Sequence, residues 1–138
     1  MEKTVPFPTT TGDRRFRVLV VEDDDEMREA LRQILELSGF HVRTAADGTE
    51  GGTLASSDVY DVILSDVRLP GQSGIALARS LRGQADPPRI VLLTAYPEWK
   101  VFAEAEAAGA CEVITKPVDL FKLATLIHEL ARPSPHDS

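Results

Sequence analysis

Short apolar runs alternate with stretches of helical periodicity along the middle of the chain. The runs predict five strands, at residues 16–21, 41–45, 60–65, 89–93 and 112–115. After each run, apolar residues recur at helical spacing, and the clearest of these helical patterns covers residues 120–131. Strands that alternate with helices predict an α/β protein whose parallel sheet is covered by helices on both faces.

The character of the runs indicates how deeply the strands are buried. The segments VLVV, VIL and IVLL are continuously apolar rather than alternating, as is typical of strands that are covered on both faces. Five strand–helix units are too few for an eight-stranded barrel, so we expect a single (βα)5 domain with an open, doubly wound sheet. The strand order 2-1-3-4-5 would place the second strand, whose only strongly apolar residue is Val42, at an edge.

Composition narrows the class of protein. The chain has 138 residues and a formal net charge of −7, which disfavours direct binding to nucleic acid or to an anionic membrane. It contains no apolar run of the roughly 18–20 residues that a membrane span needs, no secretory signal, and a single cysteine, Cys111. We therefore expect a cytoplasmic domain over residues 16–131, a flexible leader at 1–15 and a flexible tail at 132–138.

Polar residues follow four of the five predicted strands. Glu22 and Asp23 come after the first strand, Asp66 after the third, Thr94 after the fourth and Lys116 after the fifth. Ligands of open parallel sheets bind beyond the carboxyl ends of the strands, so we expect these residues to meet there. Three carboxylates favour a hard cation, Mg²⁺ or Mn²⁺, and an ammonium group and a hydroxyl suit phosphoryl oxygens. Together they predict phosphoryl transfer to an aspartate.

These motifs resemble the receiver domain of response regulators, the phosphoacceptor half of two-component signalling. The resemblance covers about residues 16–131 and includes VLVVEDD, ILSDVRLPGQSG, LLTA and ITKP, in this order. Pro70 follows Asp66 by four residues and Gly74 follows it by eight, as in the family pattern. The resemblance implies a flavodoxin-like fold, like that of the chemotaxis receiver, with the strand order 2-1-3-4-5.

The resemblance also implies a role for each acid. Asp66 would be the phosphorylated nucleophile and would also contact the metal. Asp23 would bind the Mg²⁺ or Mn²⁺ ion directly, and Glu22 would be a second acid that acts through water. The backbone carbonyl of Arg68 would complete the protein's share of the metal shell.

Two further site residues follow from the same resemblance. Thr94 would place its hydroxyl on the phosphoryl group, and Lys116 would neutralise the charge of that group. In this family the peptide bond between the lysine and the proline that follows it, here Pro117, is often cis.

The family resemblance implies a signalling switch rather than an enzyme, since such a domain catalyses only its own phosphorylation and dephosphorylation. A sensor histidine kinase or a histidine phosphotransfer protein would donate the phosphoryl group. An effector protein would bind the switched surface, and a phosphorylation-dependent homodimer would be possible. Too few residues follow position 131 for a DNA-binding module, so we expect either a stand-alone receiver or a piece of a longer regulator.

The chain departs from the family pattern at one position. Val113 stands three residues before Lys116, where the family often has an aromatic switch residue. Tyr96 or Trp99 is the candidate to take its part, although we expect Trp99 to be a partly buried packing residue. Arg68, two residues after the predicted acceptor, is expected to alter the rate of dephosphorylation. Cys111 is expected to be a small packing residue before the fifth strand.

Two other interpretations stay open on the sequence alone. A receiver-like module that is never phosphorylated would work through protein contacts only. A small flavin-binding or metal-hydrolase domain would share the fold, but a flavodoxin-type site needs a hydroxyl- and glycine-rich phosphate loop where this chain has EDDD at 22–25. The acids at 23–25 also suit the N-terminus of a helix, which requires no ligand.

Overall fold

A computed structural model describes residues 16–131, so the predicted leader and tail lie outside the described residues. Strands and helices alternate throughout this part of the chain. The strands are β1 (Arg17–Val21), β2 (His41–Ala45), β3 (Val62–Asp66), β4 (Arg89–Thr94) and β5 (Glu112–Thr115). The helices are α1 (Asp25–Leu37), α2 (Gly48–Ser57), α3 (Gly74–Leu81), α4 (Trp99–Ala107) and α5 (Leu120–Ala131).

The five strands form one parallel sheet in the order β2-β1-β3-β4-β5, which confirms the predicted topology. The register pairs Val21 with Ser65, Asp66 with Leu93, and Thr94 with Thr115. The strands therefore end nearly in step, along what we call the carboxyl edge of the sheet. Residues at or directly after the ends of β1, β3, β4 and β5 are brought together at this edge.

A hydrophobic core lies on each face of the sheet, because successive strand residues point to opposite faces. On one face, Leu19 and Ile63 pack with residues of α2, α3 and α4. On the other face, Val20 and Leu64 pack with residues of α1 and α5. Helices thus cover both faces, as predicted. None of the helices within residues 16–131 is both long and apolar enough to cross a bilayer.

Two strands extend further toward the site than their apolar runs indicate. The predicted third strand ended at Ser65 and the fourth at Leu93, but β3 includes Asp66 and β4 includes Thr94. Ladder pairing depends on backbone groups and register rather than on side-chain polarity, so a polar residue ends an apolar run without ending the strand. Both residues are therefore held by the sheet itself.

Two packing predictions were wrong. Trp99 is 77% exposed, because α4 faces the sheet through Ala105 and Trp99 lies on the far side of that helix. Cys111 is also exposed. It precedes β5, whose position at the edge of the sheet leaves its flank uncovered.

Candidate functional site

The sheet positions each predicted site residue at the carboxyl edge. Glu22 directly follows β1, and its N–H donates to the carbonyl of Ala45 at 3.0 Å, which extends the pairing with β2. Lys116 directly follows β5, and its N–H donates to the carbonyl of Thr94 at 2.8 Å. Glu22 is 1% exposed and Asp66 is 4% exposed. The fold therefore holds two carboxylates almost without contact with solvent.

Glu22, Asp23 and Asp66 form an acid cluster, as the sequence predicts. Each contributes a carboxylate oxygen, and these oxygens all lie within 4.8 Å of one another. Glu22 and Asp66 are buried, whereas Asp23 is exposed, so the cluster opens to solvent on the Asp23 side. An oxygen-only set of this size matches the ligand preference of Mg²⁺, which also keeps several of its waters.

The ammonium group of Lys116 lies between the two buried acids. Its Nζ is 2.8 Å from Asp66 Oδ1 and 3.2 Å from Glu22 Oε1. Both contacts are ion pairs, and no donor other than Lys116 reaches Asp66 Oδ1 within residues 16–131. A carboxylate oxygen has more than one lone pair, so with a single cationic partner this atom has capacity for a metal ion or an electrophile.

The crowding of charge changes the acidity of these groups. Burial raises the pKa of Asp66 from an ordinary 3.8 to about 7, and Glu22 beside it acts in the same direction. Burial alone would lower the pKa of Lys116, but Asp66 and Glu22 outweigh it and raise that pKa above its usual value. A divalent cation at the cluster would reverse the effect on Asp66 and favour its carboxylate form.

Thr94 is buried at the end of β4, and its hydroxyl is engaged by the loop that follows. Its Oγ1 accepts a hydrogen bond from the N–H of Tyr96 at 3.0 Å and donates one to the carbonyl of Tyr96 at 3.2 Å. Thr94 is thus tied to the segment that leads into α4.

The side chain of Arg68 makes a contact that sequence reasoning missed. Its guanidinium lies over the ring of Tyr96, 4.5 Å from the ring centroid, which is a cation–π contact. Both residues were singled out from the sequence, but they lie on different loops and nothing in their spacing indicates that they meet. The contact joins the loop after the predicted acceptor to the loop after Thr94.

The start of α1 contains two more residues that shape the site. Asp24 is the N-cap of α1, because its side chain accepts from the N–H of Met27 at 2.8 Å, so the helix-cap interpretation is correct for this acid. Arg28 donates to the backbone carbonyl of Glu22 at 2.9 Å and pairs with Asp25. The spacing of Asp25 and Arg28 was the available sequence signal for that ion pair.

Residues 18–128 match the family model of the response regulator receiver domain. The chain belongs to this family. Domains of this family are signalling modules rather than conventional enzymes. The match confirms the resemblance that the motifs indicate.

Similar proteins place the receiver within longer chains. It is 42% identical over 103 residues to a cyclic di-GMP phosphodiesterase of Thermotoga maritima, which covers 75% of this chain and 27% of that protein. It is 36% identical over 116 residues to the response regulator MprA of Mycobacterium tuberculosis, with 84% and 50% covered. The receiver thus spans about a quarter to a half of the length of these curated relatives.

A solved receiver gives the structural counterpart. The CheY-like receiver domain protein of Methanospirillum hungatei superposes with a TM-score of 0.81 at 28% sequence identity. The match covers 85% of this chain and 94% of that one. The likeness confirms the flavodoxin-like receiver fold over most of the described part of the chain.

Proposed function

We propose that this receiver accepts a phosphoryl group on Asp66 from the phosphohistidine of a sensor histidine kinase or a histidine phosphotransfer protein. The observation that carries the proposal is the state of Asp66 Oδ1. This buried oxygen lies 2.8 Å from the ammonium nitrogen of Lys116, and no other donor among the described residues reaches it. A carboxylate oxygen that is held beside a single cation keeps a lone pair for attack on phosphorus.

The transfer is a displacement at phosphorus. An oxygen of Asp66 attacks as the bond from phosphorus to the donor's imidazole nitrogen breaks, and that nitrogen keeps the electron pair. The products are an acyl phosphate on Asp66 and a free imidazole. Lys116 is placed to neutralise the phosphoryl oxygens in the transition state, because its ammonium already touches the acceptor. Water later cleaves the acyl phosphate, which returns the receiver to its starting form.

The acid cluster is proposed to hold Mg²⁺, or Mn²⁺ in its place, through Asp23 and Asp66 directly and with the backbone carbonyl of Arg68. When bound, the ion supplies positive charge that offsets the charge of the phosphoryl oxygens. Glu22 is assigned a role through water, because its Oε1 already accepts from Lys116 and its Oε2 from the N–H of Asp24. The oxygen-only donor set and its excess of negative charge support this assignment.

Thr94 is proposed to carry the signal out of the site. Binding of its hydroxyl to a phosphoryl oxygen would take that hydroxyl from the backbone of Tyr96, where it now makes two hydrogen bonds. Because Val113 stands at the usual aromatic position, Tyr96 is the residue that we expect to move. The affected surface would lie near α4, β5 and α5.

The output of this surface is proposed to be a protein contact, with an effector or with a second phosphorylated copy of the chain. A net charge of −7 is unfavourable for direct binding to nucleic acid. The phosphodiesterase activity named for the Thermotoga protein belongs to that longer relative, of which this chain covers 27%. We assign this receiver no reaction beyond its own phosphorylation and dephosphorylation.

Intact mass spectrometry tests the proposal directly. The chain is incubated with Mg²⁺ and either acetyl phosphate or a phosphorylated histidine phosphotransfer protein. We expect the wild type and Asp86→Asn to gain one phosphoryl group that hydroxylamine removes, since Asp86 is an exposed loop residue away from the cluster. Asp66→Asn should gain none. Labelling of Asp66→Asn would contradict the proposal, and an unlabelled wild type would favour the module that is never phosphorylated.

A further inference from the structure

The first turn of α2 touches the loop that follows Asp66. We call residues 67–73, between β3 and α3, the acceptor loop. The N–H of Gly48 donates to the carbonyl of Pro70 in this loop at 2.9 Å. A Cβ on Gly48 would lie 1.6 Å from the carbonyl oxygen of Gln72 and 2.4 Å from its carbonyl carbon. The φ of Gly48 is not positive, so its backbone conformation does not require glycine. Glycine is required by the close approach of the two backbones.

A second glycine, which lies in the acceptor loop, packs against the same helix. Gly71, in the acceptor loop, has φ +79°, and a Cβ there would lie 2.5 Å from the hydroxyl oxygen of Thr49. The helix and the loop therefore interlock through one glycine from each partner. At Gly48 the two backbones touch directly, and at Gly71 the loop backbone packs against the hydroxyl and the backbone nitrogen of Thr49.

The first turn of α2 is itself anchored to the end of β1. A Cβ on Gly51 would lie 2.9 Å from a methyl carbon of Val21, the residue before Glu22. The side chain of Asp47 accepts from the N–H of Glu50 at 2.7 Å, and Glu50 accepts from the N–H of Ala46 at 2.9 Å. The acceptor loop thus rests on a turn that is fixed next to the acid cluster.

The acceptor loop is held by backbone hydrogen bonds at two points. At its base, the N–H of Val67 donates to the carbonyl of Leu93 at 2.8 Å, and the N–H of Gly74 donates to the carbonyl of Val67 at 2.9 Å. Further along, the carbonyl of Pro70 rests on Gly48. Arg68, the proposed carbonyl ligand, lies between these two points of attachment.

We infer that Gly48 is a positioning residue for the metal site. By holding Pro70 and Gln72 against α2, it sets the direction of the backbone carbonyl of Arg68 relative to the acid cluster. The inference rests on the proposed function insofar as it concerns the metal. Its structural part, that Gly48 holds the acceptor loop, stands apart from phosphorylation.

The matched pair Gly48→Ala and Gly52→Ala tests this inference. Both substitutions add one methyl group to the same helix, but a Cβ on Gly52 would meet only the side-chain Oε1 of Gln72, at 3.0 Å. Without metal, we expect amide exchange over residues 67–73 to be faster in Gly48→Ala than in the wild type. With metal, we expect calorimetry to show about a tenfold weaker Mg²⁺ affinity, as is usual when groups that orient ligands are disturbed. Gly52→Ala should match the wild type in both measurements.

The dependence of labelling on Mg²⁺ separates positioning from general damage. A positioning role predicts that Gly48→Ala needs more Mg²⁺ for half-maximal labelling by acetyl phosphate, with a rate close to that of the wild type at saturating Mg²⁺. A lower rate at every Mg²⁺ concentration with an unchanged half-saturation point would overturn the inference. Equal amide exchange in the two variants would overturn it as well. A wild type that binds no Mg²⁺ would contradict the proposed function, whereas the exchange comparison would still decide whether Gly48 holds the loop.

A second variant covers the case in which Gly48→Ala does not fold. Gly71→Asn suits the positive φ but places its Cβ against the hydroxyl of Thr49. We expect it to speed exchange in the acceptor loop and to weaken Mg²⁺ affinity, and Thr49→Ala in the same chain should restore both. A failure of that rescue, with both proteins folded, would count against the interlocked contact.

Discussion

Carboxylates occur in two settings in this receiver, and the two settings shift their acidity in opposite directions. On the exposed face of α1, hydrogen bonds from Arg32 and Gln33 hold the pKa of Glu29 down to about 2. At the carboxyl edge, burial raises the pKa of Asp66 to about 7. Each acid has a cation beside it, Arg32 or Lys116. The presence of a cation therefore does not decide the direction of the shift.

The difference lies in how fully each acid is satisfied. Glu29 accepts from Arg32 Nε at 2.9 Å and from Gln33 at 3.0 Å while solvent surrounds it. Asp66 is buried and shares the ammonium of Lys116 with Glu22, so two acids have one cation between them. The exposed acids of α1 thus need no further ligand to satisfy their charge. At the carboxyl edge, by contrast, the buried negative charges destabilise the fold, and a cationic ligand would offset that cost.

Removal of the cation in each setting should give the largest contrast. We expect Lys116→Met to lower the free energy of unfolding by about 3 kcal/mol at pH 8, because it leaves two buried acids without their shared partner. The loss should shrink toward acid pH, where Asp66 takes up a proton. Arg32→Met should leave the urea midpoint within experimental error, since solvent already screens the exposed pairs. Equal losses of unfolding free energy in the two variants would contradict the contrast between the buried and the exposed acids.

The pH dependence of stability should have opposite signs in the two settings. Asp66 binds protons more tightly in the folded than in the unfolded chain between its ordinary pKa of 3.8 and its folded pKa of about 7. The free energy of unfolding should therefore fall as pH rises through that window. We expect the wild type to lose stability relative to Asp66→Asn between about pH 4 and pH 8, as measured by urea unfolding, and the size of that loss reports the shift of the Asp66 pKa.

Glu29→Gln is the control for that measurement. The lowered pKa of Glu29 stabilises the fold above its ordinary value of 4.5, and this stabilisation is lost as pH falls toward 2. Solvent screens this exposed pair, so we expect the variant to fall only slightly below the wild type above about pH 4.5 and to converge with it in stronger acid. A wild type whose stability rises from pH 4 to pH 8 relative to Asp66→Asn would contradict the assignment at the carboxyl edge.

Addition of Mg²⁺ should give a smaller effect that is confined to one setting. A ligand that binds only the folded state at ten times its dissociation constant stabilises that state by about 1.4 kcal/mol. We expect this gain for the wild type and for Asp25→Asn in thermal or urea unfolding, and its loss in Asp23→Asn. NaCl at matched ionic strength should not reproduce the gain. An equal gain in Asp23→Asn would remove that residue from the ligand set.

Much of the fold follows from the sequence because burial on both faces leaves a local signature. Segments such as VLVV and IVLL need covering helices on each side, and the residues between them repeat at helical spacing. The lengths of β3 and β4 were less predictable, because Asp66 and Thr94 continue a backbone ladder that side-chain polarity does not reveal. The strand order needed the family resemblance, since no local pattern states which strands are neighbours.

The members of the site follow from the sequence for a related reason. Parallel strands end at one edge, so polar residues directly after Val21 and after the apolar runs of β3 and β5 are expected along that edge, where the strand order brings them together. Their mutual geometry does not follow. That Lys116 is shared by Glu22 and Asp66, and that Arg68 lies over Tyr96, depends on how separate loops are placed.

The sequence by itself determined the repeating unit, the class of sheet and the residues of the candidate site, since each of these depends on short-range periodicity and on where an apolar run ends. Only the tertiary structure decided that Trp99 is exposed, that Asp66 has a raised pKa and that Gly48 touches Gln72. These properties arise from distances between segments that are remote in the chain. Solvent exclusion and backbone contact are set by those distances, which no local pattern encodes.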